Sequence, residues 1–114
     1  MRAIYKICDA SSWRDAERLG IFAGSADDKR DGFIHFSTAE QLGETLRRHF
    51  AGQEDLLLIK VDAGRFGDAL KWEPSRGGAL FPHLYGDFHT STAAVITALP
   101  LRADGTHDLP DLTP

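Results

Sequence analysis

The chain has 114 residues, 42% of them hydrophobic and 26% charged, the balance of one soluble globular domain with room for its own core. Its formal charge of −4, from 13 basic and 17 acidic side chains, argues against a strongly basic nucleic-acid surface. No apolar run approaches the ~20 residues of a bilayer span, no apolar segment follows Arg2 as in a signal peptide, and the single cysteine, Cys8, excludes an internal disulfide and a cysteine-based zinc cluster.

The elements follow in chain order. Ala3–Cys8 reads as an apolar strand. Trp13–Leu19 reads as a short helix capped by Ser11 or Ser12 and ended by Gly20, with Trp13, Ala16 and Leu19 toward the core. Residues 24–32 are polar and without period, which predicts an exposed loop. In the next strand, Gly32–Phe36, alternation sets Phe33 and His35 on one face and Ile34 and Phe36 on the other. Thr38 and Gln41 have the spacing of a capping box, and Leu42, Leu46, His49 and Phe50 form one helical face, which makes His49 a packed core residue. Asp55–Asp62 reads as a largely buried strand, and 69–73 as another. Leu80–Gly86, punctuated by Pro82 and Gly86, is expected to be an irregular edge segment. Ala93–Leu101 is the last strand. Residues 102–114 are polar, with one Arg and three Asp, and are expected to fray, with His107 in solvent. Strands and helices mix without strict βαβ alternation, so the fold class is α+β, one compact domain over residues 1–101.

There is no dinucleotide glycine fingerprint, no phosphate loop, no nucleophile elbow and no helical His pair for zinc. Candidate chemistry lies in scattered residues. His35-Phe36-Ser37-Thr38 puts an imidazole beside a helix start, where free amides and the Ser37 and Thr38 hydroxyls can meet an anion. The plainer reading is a helix cap with a core histidine. Pro82-His83-Leu84-Tyr85-Gly86 brings an imidazole and a phenol to one stiff segment, or else is a turn with an aromatic anchor. Arg76, in a Gly-rich loop, can reach a phosphate or is simply an exposed arginine. Trp13, Trp72 and a buried, unreactive Cys8 read as structure.

The order of segments resembles a family. Ile4-Tyr5-Lys6-Ile7, a Trp-led helix ending Leu19-Gly20, Asp31-Gly32-Phe33-Ile34-His35-Phe36-Ser37-Thr38 with Gln41, and Phe81-Pro82-His83-Leu84-Tyr85-Gly86 together resemble the small bacterial family called domain of unknown function 952, over residues 3–101. That resemblance implies an ADP-ribosyltransferase-like fold, a split mixed or antiparallel sheet with two or three helices and a cleft for NAD or ADP-ribose. The tRNA 2′-phosphotransferases are the nearest enzyme class implied. Their strand pattern His-Val-His-Leu-Ser is met here by Phe33–Ser37, with His35 at the second His. The chain departs from them at Lys6-Ile7-Cys8, where they carry His-Gly-Thr, and it leaves no room for their basic N-terminal lobe.

On this resemblance the expected function is a small cytoplasmic protein binding an ADP-ribose-like or NAD-like nucleotide, with diverged ADP-ribosyl or 2′-phosphate transfer. His35 and His83 are the expected catalytic residues. Lys6, Ser37, Thr38, Arg76 and Tyr85 are the expected ligand contacts, with Glu73 a minor acidic candidate. NAD or ADP-ribose is the expected ligand, and no metal or membrane is expected. The alternative is a non-catalytic interaction or regulatory module on the same frame, as monomer or homodimer.

Overall fold

A computed structural model describes residues 2–112, without the side chain of Arg76; Met1, Thr113 and Pro114 lie outside the described residues. The fold is α+β, and every strand pair is antiparallel. The central sheet has the order β1-β4-β8, from Ala3–Asp9 (β1), Leu56–Asp62 (β4) and Val95–Leu99 (β8). A second sheet has the order β3-β6-β5, from Ile34–His35 (β3), Leu80–Leu84 (β6) and Leu70–Pro74 (β5). A two-stranded ribbon joins Ile21–Phe22 (β2) to Phe88–His89 (β7). The α-helices are Ala10–Leu19 (α1), Ala26–Asp31 (α2) and Leu42–His49 (α3).

Strand alternation divides the core. Ile4, Cys8, Ile59 and Val61 face a cluster with Trp13, Phe22, Phe36, Leu84 and Phe88. Tyr5, Ile7, Leu56, Leu58 and Leu99 face a second one with Leu42 and Leu46 of α3. The central sheet is thus buried on both faces, which is why β4 reads as a nearly continuous apolar run.

Several local expectations change. Asp9, not a serine, caps α1: its carboxylate accepts from the Ser12 amide at 2.9 Å and the Ser12 hydroxyl at 2.7 Å. Gly20 ends α1 at φ 83°, as its spacing indicates. Leu19 is 79% exposed, because the buried stripe of Ala10, Trp13 and Ala16 runs out before it. Residues 26–31 are a helix, not a loop. Ser25 and Asp28 cap it reciprocally, the Asp28 amide donating to Ser25 Oγ and the Ser25 amide to Asp28 Oδ2. Gly24 is required beside it: at φ +109° a Cβ would lie 2.9 Å from that of Asp28.

His49 is exposed, since the apolar stripe of α3 continues to half-buried Phe50 and leaves His49 on its flank. His107 is buried. Its Nε2 lies 2.8 Å from the Gln53 carbonyl, and residues 101 and 107 form a bridge, so the chain just after Leu101 turns back instead of fraying.

The largest correction concerns β6. It is the central strand of its sheet, not an edge. Pro82 is accommodated because β3 ends opposite it. The Phe36 amide donates to the Pro82 carbonyl at 3.0 Å, and no return bond is needed there.

Cys8 is buried, and that burial pushes its thiol up to about 12. Thiol-labelling kinetics should therefore show no modification of the native protein at neutral pH and full modification in denaturant. Rapid native labelling would contradict the packing of β1.

Candidate functional site

The site begins with alternation along one strand. Ile34 and Phe36 are buried in the core, which turns Phe33 and His35 to the opposite face. His35 stands directly across from His83 in the β3–β6 register, so both imidazoles share that face. Their ring centroids are 5.6 Å apart. Phe33 stacks on His83 at 4.0 Å and 25°, and its ring also lies 4.5 Å from His35 and 5.2 Å from Tyr85. Phe33 is the common contact of the group.

Each imidazole is held through Nδ1 by a carboxylate. His83 Nδ1 lies 2.8 Å from Glu73 Oε1, which also accepts the Tyr85 hydroxyl at 2.7 Å. Glu73 faces Phe81 across the β5–β6 ladder and reaches His83 diagonally, as side chains two positions apart on one sheet face can. The Tyr85 and His83 bonds draw the Glu73 carboxyl below its ordinary value, and the Glu73 bond raises the Tyr85 phenol. Glu73 therefore acts as an ionised acceptor. His83 Nδ1 is then the nitrogen that donates to it.

His35 Nδ1 lies 2.6 Å from Asp28 Oδ1, and its Nε2 lies 3.0 Å from Asp31 Oδ2. Asp28 is the hub of this half. It is buried, and it accepts from Lys6 Nζ at 2.8 and 3.0 Å, from the His35 amide at 3.0 Å and from the Ser25 amide at 2.8 Å. Burial alone would raise its carboxyl. The His35 bond and the Lys6 charge outweigh burial and hold it well below the usual carboxylate range.

The expected ligand contacts fall into different places. Lys6 is beside His35, but its ammonium is engaged by both Asp28 oxygens and by the His35 carbonyl at 3.0 Å. Ser37 is buried, its amide donates to the Tyr5 carbonyl at 2.9 Å, and its hydroxyl faces Thr45 at 3.3 Å. The Thr38 amide donates to Gln41 Oε1 at 3.0 Å. The amides of Ser37 and Thr38 themselves are therefore both occupied. The Arg76 side chain lies outside the described residues. The structure brings together His35, His83 and Tyr85 with the minor candidate Glu73, and adds Phe33, Asp28 and Asp31.

Beside this group lies an open cleft of about 430 Å³. Phe33 and Tyr85 line it together with Ile21 and Phe22, and the charged residues on the lining are Asp28, Lys29 and Asp87. The two imidazoles stand behind Phe33 and do not line the cleft themselves. Among the described residues no group of three or more His, Cys, Asp or Glu could hold a metal ion, and no helix is long and apolar enough to cross a membrane.

Sequence reasoning missed Asp28 as part of the site. A signal was present: Ser25 and Asp28 have capping-box spacing, which argues for a helix where polarity suggested a loop. Nothing local announces that this carboxylate would turn inward onto Lys6.

Residues 7–98 match the model of the family described as "Protein of unknown function (DUF952)". The chain is similar to protein CC0527 from Caulobacter crescentus. Its crystal structure is 47% identical, covers 93% of this chain and 93% of its own, and superposes with a TM-score of 0.90. Its solution NMR structure is 48% identical, covers 93% of this chain and 91% of its own, and gives 0.83. No curated protein matches the chain.

Proposed function

Because the chain belongs to the DUF952 family of proteins of unknown function, we propose a role from its own geometry: it binds an ADP-ribose-like or NAD-like nucleotide in the cleft beside Phe33 and Tyr85, with proton transfer at His83 available to a diverged transferase reaction. The observation that carries this reading is the shared Phe33 ring. One aromatic side chain both walls the cleft and packs on two carboxylate-held imidazoles.

The cleft volume of about 430 Å³ lies in the range of small-molecule sites. Phe33 and Tyr85 offer ring faces to a base or nicotinamide, and Lys29 is the cation on the lining for a phosphate. Transfer from NAD would break the bond between ribose C1′ and nicotinamide as an acceptor oxygen attacks C1′. Nicotinamide leaves as a neutral base. His83 lies off the cleft lining, so the acceptor's proton would reach it by way of one relaying water, and Glu73 would stabilise the resulting imidazolium through Nδ1. His35, held between Asp28 and Asp31, would fix the Phe33 ring against the cleft.

A second reading, a non-catalytic module on the same frame, is favoured by the engagement of both His35 nitrogens and by the burial of His83. On that reading the imidazoles hold α2 and β5 to the sheet.

Titration of isotope-labelled protein with NAD and with ADP-ribose separates the two. The nucleotide reading expects saturable amide shifts confined to residues 21–23, 29–35 and 84–87. Tyr85→Ala should weaken binding at least ~10-fold, the scale of one lost stacking partner. His83→Ala should abolish nicotinamide release while leaving some binding. Absence of saturable shifts at millimolar ligand would overturn the nucleotide reading and favour the module.

A further inference from the structure

Strand β8 forms an edge of the central sheet, and hydrogen-bond parity shows which of its backbone groups are free. In an antiparallel ladder, alternate residues direct N–H and C=O to opposite sides. Tyr5 of β1 exchanges both of its bonds with Ser37, so odd residues of β1 point away from β4 and even ones toward it. The Ala10 amide donating to the Asp55 carbonyl at 2.7 Å agrees. Through the β1–β4 register, the odd residues of β4 face β1 and the even ones face β8. Through the β4–β8 register, Val95, Thr97 and Leu99 then point inward, and Ile96 and Ala98 point outward.

The outward groups of Ile96 and Ala98 have no partner among the described residues. The free run is bounded at both ends. The Pro100 carbonyl accepts the Asp108 amide at 2.9 Å, and the Ala94 amide turns back to the Lys60 carbonyl at 2.8 Å. Ile96 is 45% and Val95 49% exposed, and no charged residue occurs between Thr90 and Leu101. The other outer strand, β1, is tied to Ser37. Exposed edges of natural sheets ordinarily carry a lysine, a bulge or a covering loop. Among the described residues, Ile96–Ala98 has none of these, and the irregularity where the Ala94 amide joins Val95 opposite Lys60 lies at the end of the run.

We propose that β8 is a self-pairing strand, and that two copies of the chain join antiparallel across a two-fold axis at Thr97 into one continuous sheet. About that axis Ile96 of one protomer stands opposite Ala98 of its partner, and each pair exchanges both backbone bonds. Every free group of the run is then satisfied, with none left over. On one face the Ile96 and Ala98 side chains of both copies form a single apolar patch. On the other, Thr97 meets Thr97, a favourable cross-strand pair without like-charge repulsion. With so few residues the interface falls below the ~1,000 Å² of strong complexes, so the dimer is reversible, with Kd on the order of 10 µM to 1 mM. Self-pairing is independent of the nucleotide reading.

Sedimentation velocity on the full chain from ~10 µM to ~1 mM tests it. The wild type should shift from monomer to dimer with concentration. Ile96→Lys, at an exposed position, should weaken association at least ~10-fold at unchanged melting temperature. Oxidative cross-linking provides a measurement that does not depend on that variant. A Thr97→Cys pair at the axis would have its Cα atoms about 4.5 Å apart, within disulfide reach, and should cross-link readily. An Ala98→Cys pair would be offset by about 8–9 Å and should not. Buried Cys8 does not compete. A wild type that stays monomeric at the highest concentration overturns the proposal. So does a dimer that Ile96→Lys leaves intact, or equal cross-linking at both positions.

Discussion

Asp28→Ala is expected to destabilise the fold by about 3–5 kcal/mol, the scale for breaking a buried ion pair by removing one partner. The reason is the number of groups that one carboxylate serves. It meets the Lys6 ammonium, the His35 ring and amide, and the Ser25 amide that starts α2. Its loss leaves Lys6 buried and without a counter-charge. Lys6→Met should recover part of the stability of Asp28→Ala, since the double variant no longer buries an orphan cation. Chemical denaturation of the four proteins at neutral pH measures the cycle. A loss below ~1 kcal/mol for Asp28→Ala would sink the idea that this network anchors α2.

The same carboxylate sets an acid limit. Its folded value lies below its unfolded value of about 4. A depressed carboxyl contributes stability that is fully present above the unfolded value and is lost as pH falls toward the folded one. Wild type should therefore lose stability steeply below about pH 4, and Asp28→Asn should show a flatter acid limb from a lower plateau. Parallel acid limbs for the two proteins would assign the acid sensitivity elsewhere.

Phe88→Ala is expected to have a comparable effect, about 3–5 kcal/mol, with a fall in melting temperature on the order of 10–20 °C. Phe88 is fully buried on the two-residue strand β7. Its ring lies 5.2 to 5.9 Å from those of Phe36, Trp13, Phe22 and Phe66. It therefore joins α1, the β2–β7 ribbon and the strand that carries His35. Phe88→Leu keeps most of the volume and should lose no more than about 1.5 kcal/mol. Calorimetry on both variants separates a cavity effect from a loss of aromatic contact. Equal losses would mean that ring geometry, not filled volume, holds the ribbon. Because Phe22 lines the cleft and packs on Phe88, Phe88→Ala should also blunt any ligand response there.

The site was legible in part, and particular residues show why. His35, His83 and Tyr85 stood out because each sits in a short segment with strong local punctuation, and they do converge. Of the partners that orient them, Asp28 and Asp31 did not stand out, and Glu73 did so only as a minor candidate. Asp28 is 22 residues from Lys6, and Glu73 is 10 from His83 across a turn. Ser37 and Thr38 showed the opposite error. Their spacing marks a helix start, but a sequence does not show that Tyr5 and Gln41 will engage the amides of Ser37 and Thr38 themselves.

Neighbouring residues decide the local features. The α+β class, the Gly20 terminus of α1, the alternation of Phe33 through Phe36, the buried run of β4 and the Leu42–Leu46 face of α3 all follow from local period and capping. Long-range packing is what sends Asp28 inward from a polar run, sets Pro82 in a central strand, leaves His49 facing solvent and buries His107 against Gln53, 54 residues away. The physical reason is common to all four. A side chain's environment depends on what packs across from it, and here that is contributed by chain distant in sequence. Local propensity sets which way a strand alternates or where a helix stops. Which charge meets which, and which edge stays open, is set when the elements close on one another.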